Sequence, residues 1–308
     1  MSRPLLSIVR SPDKPGPGPM PDALLRALDL TIERRIQGLL AGDFRSRALG
    51  QGTELAQMRL YEPGDDVRQI DWNLTARTGQ PHVRIQIAER MLTSWVLLDT
   101  SPSMRFGTAD RRKADVAEGV AVTMGHVATR RGNALGVLTF GDASPRTVMP
   151  AQGRRGMLGL LTTLRAEEQA GGGATSFSEV LGRVNRMGRH GNLVVVVSDF
   201  RGDSGWRLPL LELTARHTVI AAEVRDPREQ ELPDIGDVWM TDPETGRSLR
   251  VDTGRREIRE RFAQAAIGER ADVARLLSEC GARHVVLSTA GDWLRPFASF
   301  LLRKDGLR

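Results

Sequence analysis

A short apolar run that stops on a carboxylate occurs twice in this chain, and it limits the fold more than any other feature. Trp95-Val96-Leu97-Leu98-Asp99 is the first and Leu193-Val194-Val195-Val196-Val197-Ser198-Asp199 the second. Runs of this length without polar alternation read as strands covered on both faces, which is how a parallel sheet between helices looks in sequence. The first run continues through Thr100-Ser101-Pro102-Ser103-Met104, so Asp99, Ser101 and Ser103 place hard oxygens just past the strand's carboxyl end. In open α/β sheets ligands bind at that edge. An oxygen-only set suits magnesium, manganese or calcium and argues against zinc. Asp and Ser also cap helices, so on these residues alone a polar turn leading into a helix explains the pattern equally well.

The rest of the chain alternates in the same style. Lys113 to Arg131 carries enough small and apolar residues for a helix covered on most sides. Ala134–Phe140 reads as a strand, Thr147–Met149 as a short antiparallel one, and Met157–Arg165 as a helix. Gly171-Gly172-Gly173-Ala174-Thr175-Ser176 is a glycine-rich loop before a helix at Phe177–Met187. Leu208–Arg216 is a helix, Val219–Val224 a strand, and Val238–Val251 a hairpin turning at Glu244-Thr245-Gly246. A long helix marked by Ile258, Phe262, Ala266, Val273, Leu276 and Leu277 precedes a last strand, Arg283–Ser288, and a last helix, Trp293–Leu302. Strands separated by helices at this spacing predict an α/β fold with a doubly wound, mostly parallel sheet.

Ahead of that domain, residues 1–21 are rich in Pro and Gly and read as a flexible or extended tail. Residues 22–42 carry Leu24, Leu25, Leu28, Ile32, Ile36, Leu39 and Leu40 at helical spacing, an amphipathic helix. Residues 43–93 show recurring turn signals around two alternating stretches, Val67–Trp72 and His82–Ile87, which predict a small antiparallel β unit. Pro63-Gly64 fits the centre of a type II turn. Asp65, Asp66, Arg68, Asp71 and Arg77 read as a structural charge network, with an interaction surface as the alternative. The sheet domain then occupies residues 94–308.

Composition narrows the function classes. With 40% hydrophobic and 27% charged residues among 308, the chain is that of an ordinary globular protein. No stretch approaches the roughly 18 apolar residues of a membrane span, and Pro4 interrupts the N-terminus too early for a secretory signal. A cytoplasmic location is the expectation. Cys280 is the one cysteine, which excludes an internal disulfide and predicts a buried thiol. The five histidines form no His-Glu-x-x-His cluster. The formal charge of +6 invites a nucleic-acid reading. However, arginines and acids alternate in Arg255-Arg256-Glu257-Ile258-Arg259-Glu260-Arg261, as on a solvated helix face. No basic stripe with interleaved aromatics accompanies them, so no nucleic-acid partner is expected.

Asp99-x-Ser101-x-Ser103-Met104, Thr175 and Asp199, in that order, resemble the metal-ion-dependent adhesion site of von Willebrand factor A domains. The block from Leu60-Tyr61-Glu62-Pro63-Gly64-Asp65-Asp66 through Ile70-Asp71-Trp72-Asn73 to Ala76-Arg77-Thr78-Gly79 narrows the likeness. It is similar to the cytoplasmic domain-of-unknown-function family that accompanies MoxR-type AAA+ ATPases and includes MxaS-like proteins. The match covers roughly residues 44–302. The resemblance implies a von Willebrand factor A-like, Rossmann-like sheet. It further implies a divalent cation, magnesium first, with manganese or calcium as alternatives. Ser101 and Ser103 would bind it through their hydroxyls, Thr175 directly or through water, and Asp99 and Asp199 through water. A partner's acidic side chain would fill the open position. Ala174 departs from the glycine such domains often carry before the threonine.

The function expected on this footing is a non-catalytic, metal-dependent protein-binding adaptor, chaperone-like in role. It would act with a MoxR-type AAA+ ATPase in the maturation or assembly of a client complex. The chain has no Gly-x-x-x-x-Gly-Lys-Ser/Thr loop of its own, so nucleotide energy would come from the partner. The alternative is a metal-dependent phosphotransferase or hydrolase using Asp99 as nucleophile. Ser101 stands where such phosphotransferases carry a second acid, and no Gly-x-Ser-x-Gly elbow is present.

Overall fold

The computed structural model describes residues 15–20, 54–87, 93–130, 133–141, 145–165, 176–187, 191–202 and 204–302. The helix expected at 22–42 and the loop carrying Ala174 and Thr175 lie outside the described residues. The chain divides into a unit of residues 37–91 and a larger one of residues 1–36 with 92–308.

In the smaller unit, β1 (Glu54–Leu60) runs antiparallel to β2 (His82–Ile87). The alternation in Val67–Trp72 predicts a strand, and this is corrected: Val67–Gln69 is a single 3-10 turn, Ile70 alone makes an antiparallel bridge to Val83 of β2, and α1 (Trp72–Thr78) follows. Two aspartates override the strand pattern. Asp66 accepts from the Arg68 amide at 2.9 Å and Asp71 from the Leu74 amide at 3.0 Å, each capping a helical start. Gly79, at φ 71°, ends α1 in the left-handed region. The Pro63-Gly64 turn forms as expected, with Gly64 at φ 111° and the Asp65 amide donating to the Glu62 carbonyl at 3.0 Å. Arg59 closes it through a 2.6 Å ion pair with Asp65.

The larger unit is built on a six-stranded sheet. In chain order its elements are β3 (Thr93–Asp99), α2 (Lys113–Arg130), β4 (Ala134–Phe140), β5 (Thr147–Gln152), α3 (Gly153–Arg165), α4 (Phe177–Met187), β6 (Leu193–Ser198), α5 (Arg207–Thr214) and β7 (Thr218–Arg225). The hairpin β8 (Asp237–Thr241) and β9 (Ser248–Asp252), the long α6 (Arg256–Glu279), β10 (Arg283–Ser288) and α7 (Leu294–Leu302) complete it. The sheet order is β10-β7-β6-β3-β4-β5, parallel except for the edge strand β5. The expected doubly wound, mostly parallel sheet is therefore present. β6 is buried along its whole length, as its unbroken apolar run requires.

Small residues set the layer spacing. A Cβ on Gly136 of β4 would stand 2.6 Å from the Trp95 ring, and one on Gly119 of α2 would stand 2.2 Å from Trp293. Backbone approaches that close let one buried tryptophan lie on the sheet and the other lie between α2 and Pro17. The Trp293 indole donates to the Pro17 carbonyl at 2.7 Å, so part of the Pro/Gly-rich segment is held against this unit. Cys280 is buried and its thiol donates to the Arg207 carbonyl, in line with a structural role. The acid-base alternation at the start of α6 forms surface ion pairs, Arg256 with Glu260 at 2.6 Å among them. Among the described residues no helix is long and apolar enough to cross a membrane.

Asp226, just past β7, ties three segments together. It accepts from the Thr108 amide at 2.7 Å and hydroxyl at 2.6 Å, the Thr289 hydroxyl at 2.6 Å and the Arg228 amide at 2.9 Å. Burial opposes its charge, but these donors hold its pKa below the usual aspartate value. A depressed folded-state pKa means stability that is fully present above the unfolded value and lost as the pH falls through the folded one. Asp226→Asn should lower the unfolding free energy by about 2 kcal/mol near neutral pH. The gap between the two proteins should narrow as the pH falls below about 4. Urea unfolding at pH 7 and pH 3 measures both effects, and identical curves at pH 7 would contradict this role for Asp226.

Candidate functional site

The winding of the sheet locates the site. β3 lies between β4, its successor in the chain, and β6, which the chain reaches after crossing to the other side. The crevice beyond the carboxyl ends of β3 and β6 is thus the topological switch point, where open α/β sheets bind ligands. Parallel register sets Leu98 beside Val197, so Asp99 and Ser198 end neighbouring strands and Asp199 follows directly.

Asp99 is 8% exposed and Asp199 5%. The Asp99 carboxylate accepts from the Ser101 amide at 2.9 Å through Oδ1 and from the Ser198 hydroxyl at 2.5 Å through Oδ2. Burial, with the negative charge of Asp199 added, pushes its pKa up to about 6 against those hydrogen bonds. Gly141 makes the geometry possible. Its φ is 84°, and a Cβ there would come within 2.8 Å of both Asp99 Oδ1 and the Ser101 nitrogen.

Asp199 is handled differently. Burial works against its charge, but the ammonium of Lys113 at 2.7 Å outweighs this and holds its pKa below the ordinary range. The Arg201 amide donates to its other oxygen at 3.1 Å, and the nearby Ser103 hydroxyl also favours its charged form. Lys113, the first residue of α2, is fully buried and also pairs with Glu229 at 2.7 Å. Glu229 in turn pairs with Arg201 at 2.9 Å, and Arg201 with Glu269 at 3.0 Å. Phe200, between Asp199 and Arg201, has φ 54°, a strained value for a bulky residue. It is held there by the hydrogen bond its amide donates to the Ser198 hydroxyl at 3.0 Å and by packing against Phe177 and Trp206.

Of the residues expected at the site, the fold gathers Asp99, Ser101, Ser103 and Asp199 at one edge, while Thr175 lies outside the described residues. The Ser101 and Ser103 hydroxyl oxygens are 3.1 Å apart. Adjacent ligands of an octahedral ion bonded at about 2.1 Å stand about 3 Å apart, so the serine pair has the spacing of a hard-cation edge. Beside it sits a carboxylate whose pKa is raised partly by a second carboxylate, an excess of negative charge that a cation would relieve. The donor set therefore fits the implied ion. Among the described residues no group of three or more His, Cys, Asp or Glu side chains is disposed to hold a metal. The set at this edge is rich in hydroxyls and has two carboxylates.

Sequence reasoning missed Ser198, Lys113, Glu229 and Glu244 as parts of this edge. Glu244, in the turn between β8 and β9, accepts from the Ser103 amide at 2.9 Å across a large gap in sequence. The one local signal was Asp226-Pro227-Arg228-Glu229, a capping box whose glutamate accepts from the Asp226 amide at 3.1 Å. Lys113→Met would leave Asp199 and Glu229 buried without their shared cation. It should cost about 3–5 kcal/mol of stability, measured by denaturant unfolding. An unchanged midpoint would show that the ammonium does not balance these carboxylates.

Residues 57–272 match the family described as "Protein of unknown function DUF58". An uncharacterized protein of Mycobacterium tuberculosis, Rv1480, is 40% identical over 282 residues, covering 91% of this chain and 88% of that one. The Mycobacterium bovis protein Mb1516 matches to the same extent. Among solved structures, BatB from Bacteroides thetaiotaomicron is similar with a TM-score of 0.42 and 13% identity, over 68% of this chain and 96% of that one. The SpRpn10 VWA domain is similar with a TM-score of 0.36 and 14% identity, over 68% of this chain and 95% of that one. The family match spans most of the chain, with strands β3 to β7 and their acidic edge included, and the chain belongs to the DUF58 family.

Proposed function

We propose that this protein is a non-catalytic adaptor that binds an acidic side chain of a partner through a divalent cation at the β3–β6 edge. The observation that carries this reading is the serine pair, 3.1 Å apart and flanked by two buried carboxylates at the sheet's switch point. Ser101 and Ser103 would hold the ion through their hydroxyls, with Asp99 and Asp199 stabilising its charge and Thr175 available from its loop. The ion, magnesium in the first instance, would supply a positive charge with a position open to a carboxylate. In this reading the partner is a MoxR-type AAA+ ATPase, acting with the adaptor on a client complex. The resemblance of the Tyr61–Arg77 block supports that choice of partner.

The enzyme alternative finds less support at this edge. Both Asp99 oxygens already accept hydrogen bonds, and Lys113, the cation closest to Asp199, is satisfied by two carboxylates. Ser101 cannot serve as the general acid that an aspartyl-phosphate mechanism needs. Turnover of acyl or phosphate model substrates that is lost in Asp99→Asn would reverse that preference.

Calorimetric titration with magnesium or manganese should give saturable binding to the wild-type chain that weakens at least about tenfold in Asp99→Ala, given the local charge removed. Equal binding by the two proteins would contradict the assignment of the ion to this edge. Capture of the MoxR-type ATPase by the immobilised chain should be lost on adding a chelator. Capture that persists under chelation would separate partner recognition from the cation.

A further inference from the structure

The hairpin β8–β9 stands apart from the six-stranded sheet and pairs only within itself among the described residues. Its turn, Asp242-Pro243-Glu244-Thr245-Gly246, is held rigid by its own first residue. Asp242 accepts from the Glu244 amide at 3.0 Å and from the Thr245 hydroxyl at 2.6 Å, and its carbonyl accepts from Gly246 at 2.8 Å. Gly246, at φ 69°, takes the left-handed position that closes the loop. The stem is pinned by the Thr241–Ser248 hydroxyl pair at 2.8 Å and by Arg250 with Asp237 at 2.5 Å. At the base, Thr253 is fully buried and its hydroxyl donates to the Gly236 carbonyl at 2.7 Å. Every polar group of the turn named here is engaged inside the turn except one. The Glu244 carboxylate leaves it and accepts from the Ser103 amide at 2.9 Å, within the Asp-x-Ser-x-Ser loop.

We infer that the β8–β9 turn is a resident ligand of the β3–β6 edge, and that the partner presents the same chemistry, a glutamate at the head of a tight turn. This rests on the reading of that edge as a site for acidic side chains. A purely structural clamp would not need a carboxylate carried on a pre-stiffened turn to the loop that holds the ligand hydroxyls. A tethered carboxylate has an effective concentration around the millimolar range, so it screens the site from weak acidic ligands and yields to a partner that binds more tightly. The hairpin thereby sets a threshold for docking and gives the recognised segment its chemical class.

The test uses the full chain and a synthetic peptide spanning Asp237–Asp252, closed into a hairpin through its ends and carrying a fluorophore. In magnesium, Glu244→Ala should bind this peptide about tenfold more tightly than the wild-type chain, because the tethered competitor is gone. A peptide with Gln in place of Glu244 should bind neither protein. Equal affinity for the two chains, or no binding to Glu244→Ala, would overturn the inference. A second measurement is independent of the ion: amide exchange at Ser103 should accelerate in Glu244→Ala, and unchanged exchange would count against the contact itself. Repeating the peptide titration with a chelator separates the two readings. Preference for Glu244→Ala that survives chelation supports the resident turn and removes the cation, whereas preference lost only under chelation supports both.

Discussion

Two buried carboxylates at the ends of neighbouring strands repel each other, and the architecture around the sheet edge follows from how that repulsion is managed. The register of β3 against β6 leaves Asp99 and Asp199 no choice of position. Ser198 donates to Asp99 and accepts from the Phe200 amide, so one hydroxyl joins the two strand ends. The strained Phe200 backbone is held by that bond and by the aromatic cluster beneath it, which fixes where Asp199 points. Gly141 admits the Asp99 carboxylate against the neighbouring strand end where any side chain would displace it.

The two carboxylates do not have equal freedom. Asp199 is balanced from within by Lys113, which begins a chain of ion pairs running through Glu229 and Arg201 to Glu269. Asp99 has neutral donors only, and burial, with the charge of Asp199 added, raises its pKa. In the proposed reading the cation would lie on the side of Asp99, Ser101 and Ser103, with Asp199 contributing from a position already fixed. Lys113 supplies structural neutrality, and the proposed ion supplies the charge that a partner would read. The Glu244 turn then places an acidic group of the chain's own at the same loop.

How much of this was legible depended on whether a feature is local in sequence. The strands β3 and β6 and the residues Asp99, Ser101, Ser103 and Asp199 were legible because buried parallel strands are uninterrupted apolar runs and the donors sit immediately after them. The antiparallel edge strand β5 is legible in part, from Thr147–Met149, and the β8–β9 hairpin from its turn at Glu244-Thr245-Gly246. Alternation in Val67–Trp72 is misleading because Asp66 and Asp71 offer backbone amides a helical alternative through their side chains. Lys113 was hidden for another reason. A lysine at the start of a helix is ordinarily a surface residue, and only the fold shows the carboxylates that allow its burial. Glu244 reads as a turn residue in sequence, and nothing local indicates that the turn reaches Ser103.

The assignment of a cation to the serine pair is tested most directly by crystals grown with manganese and measured at a wavelength where manganese scatters anomalously. An anomalous peak within coordination distance of the Ser101 and Ser103 hydroxyls, with Asp99 and Asp199 flanking it, is the expected result. A peak seated elsewhere, or no peak at this edge in crystals saturated with the ion, would contradict the assignment.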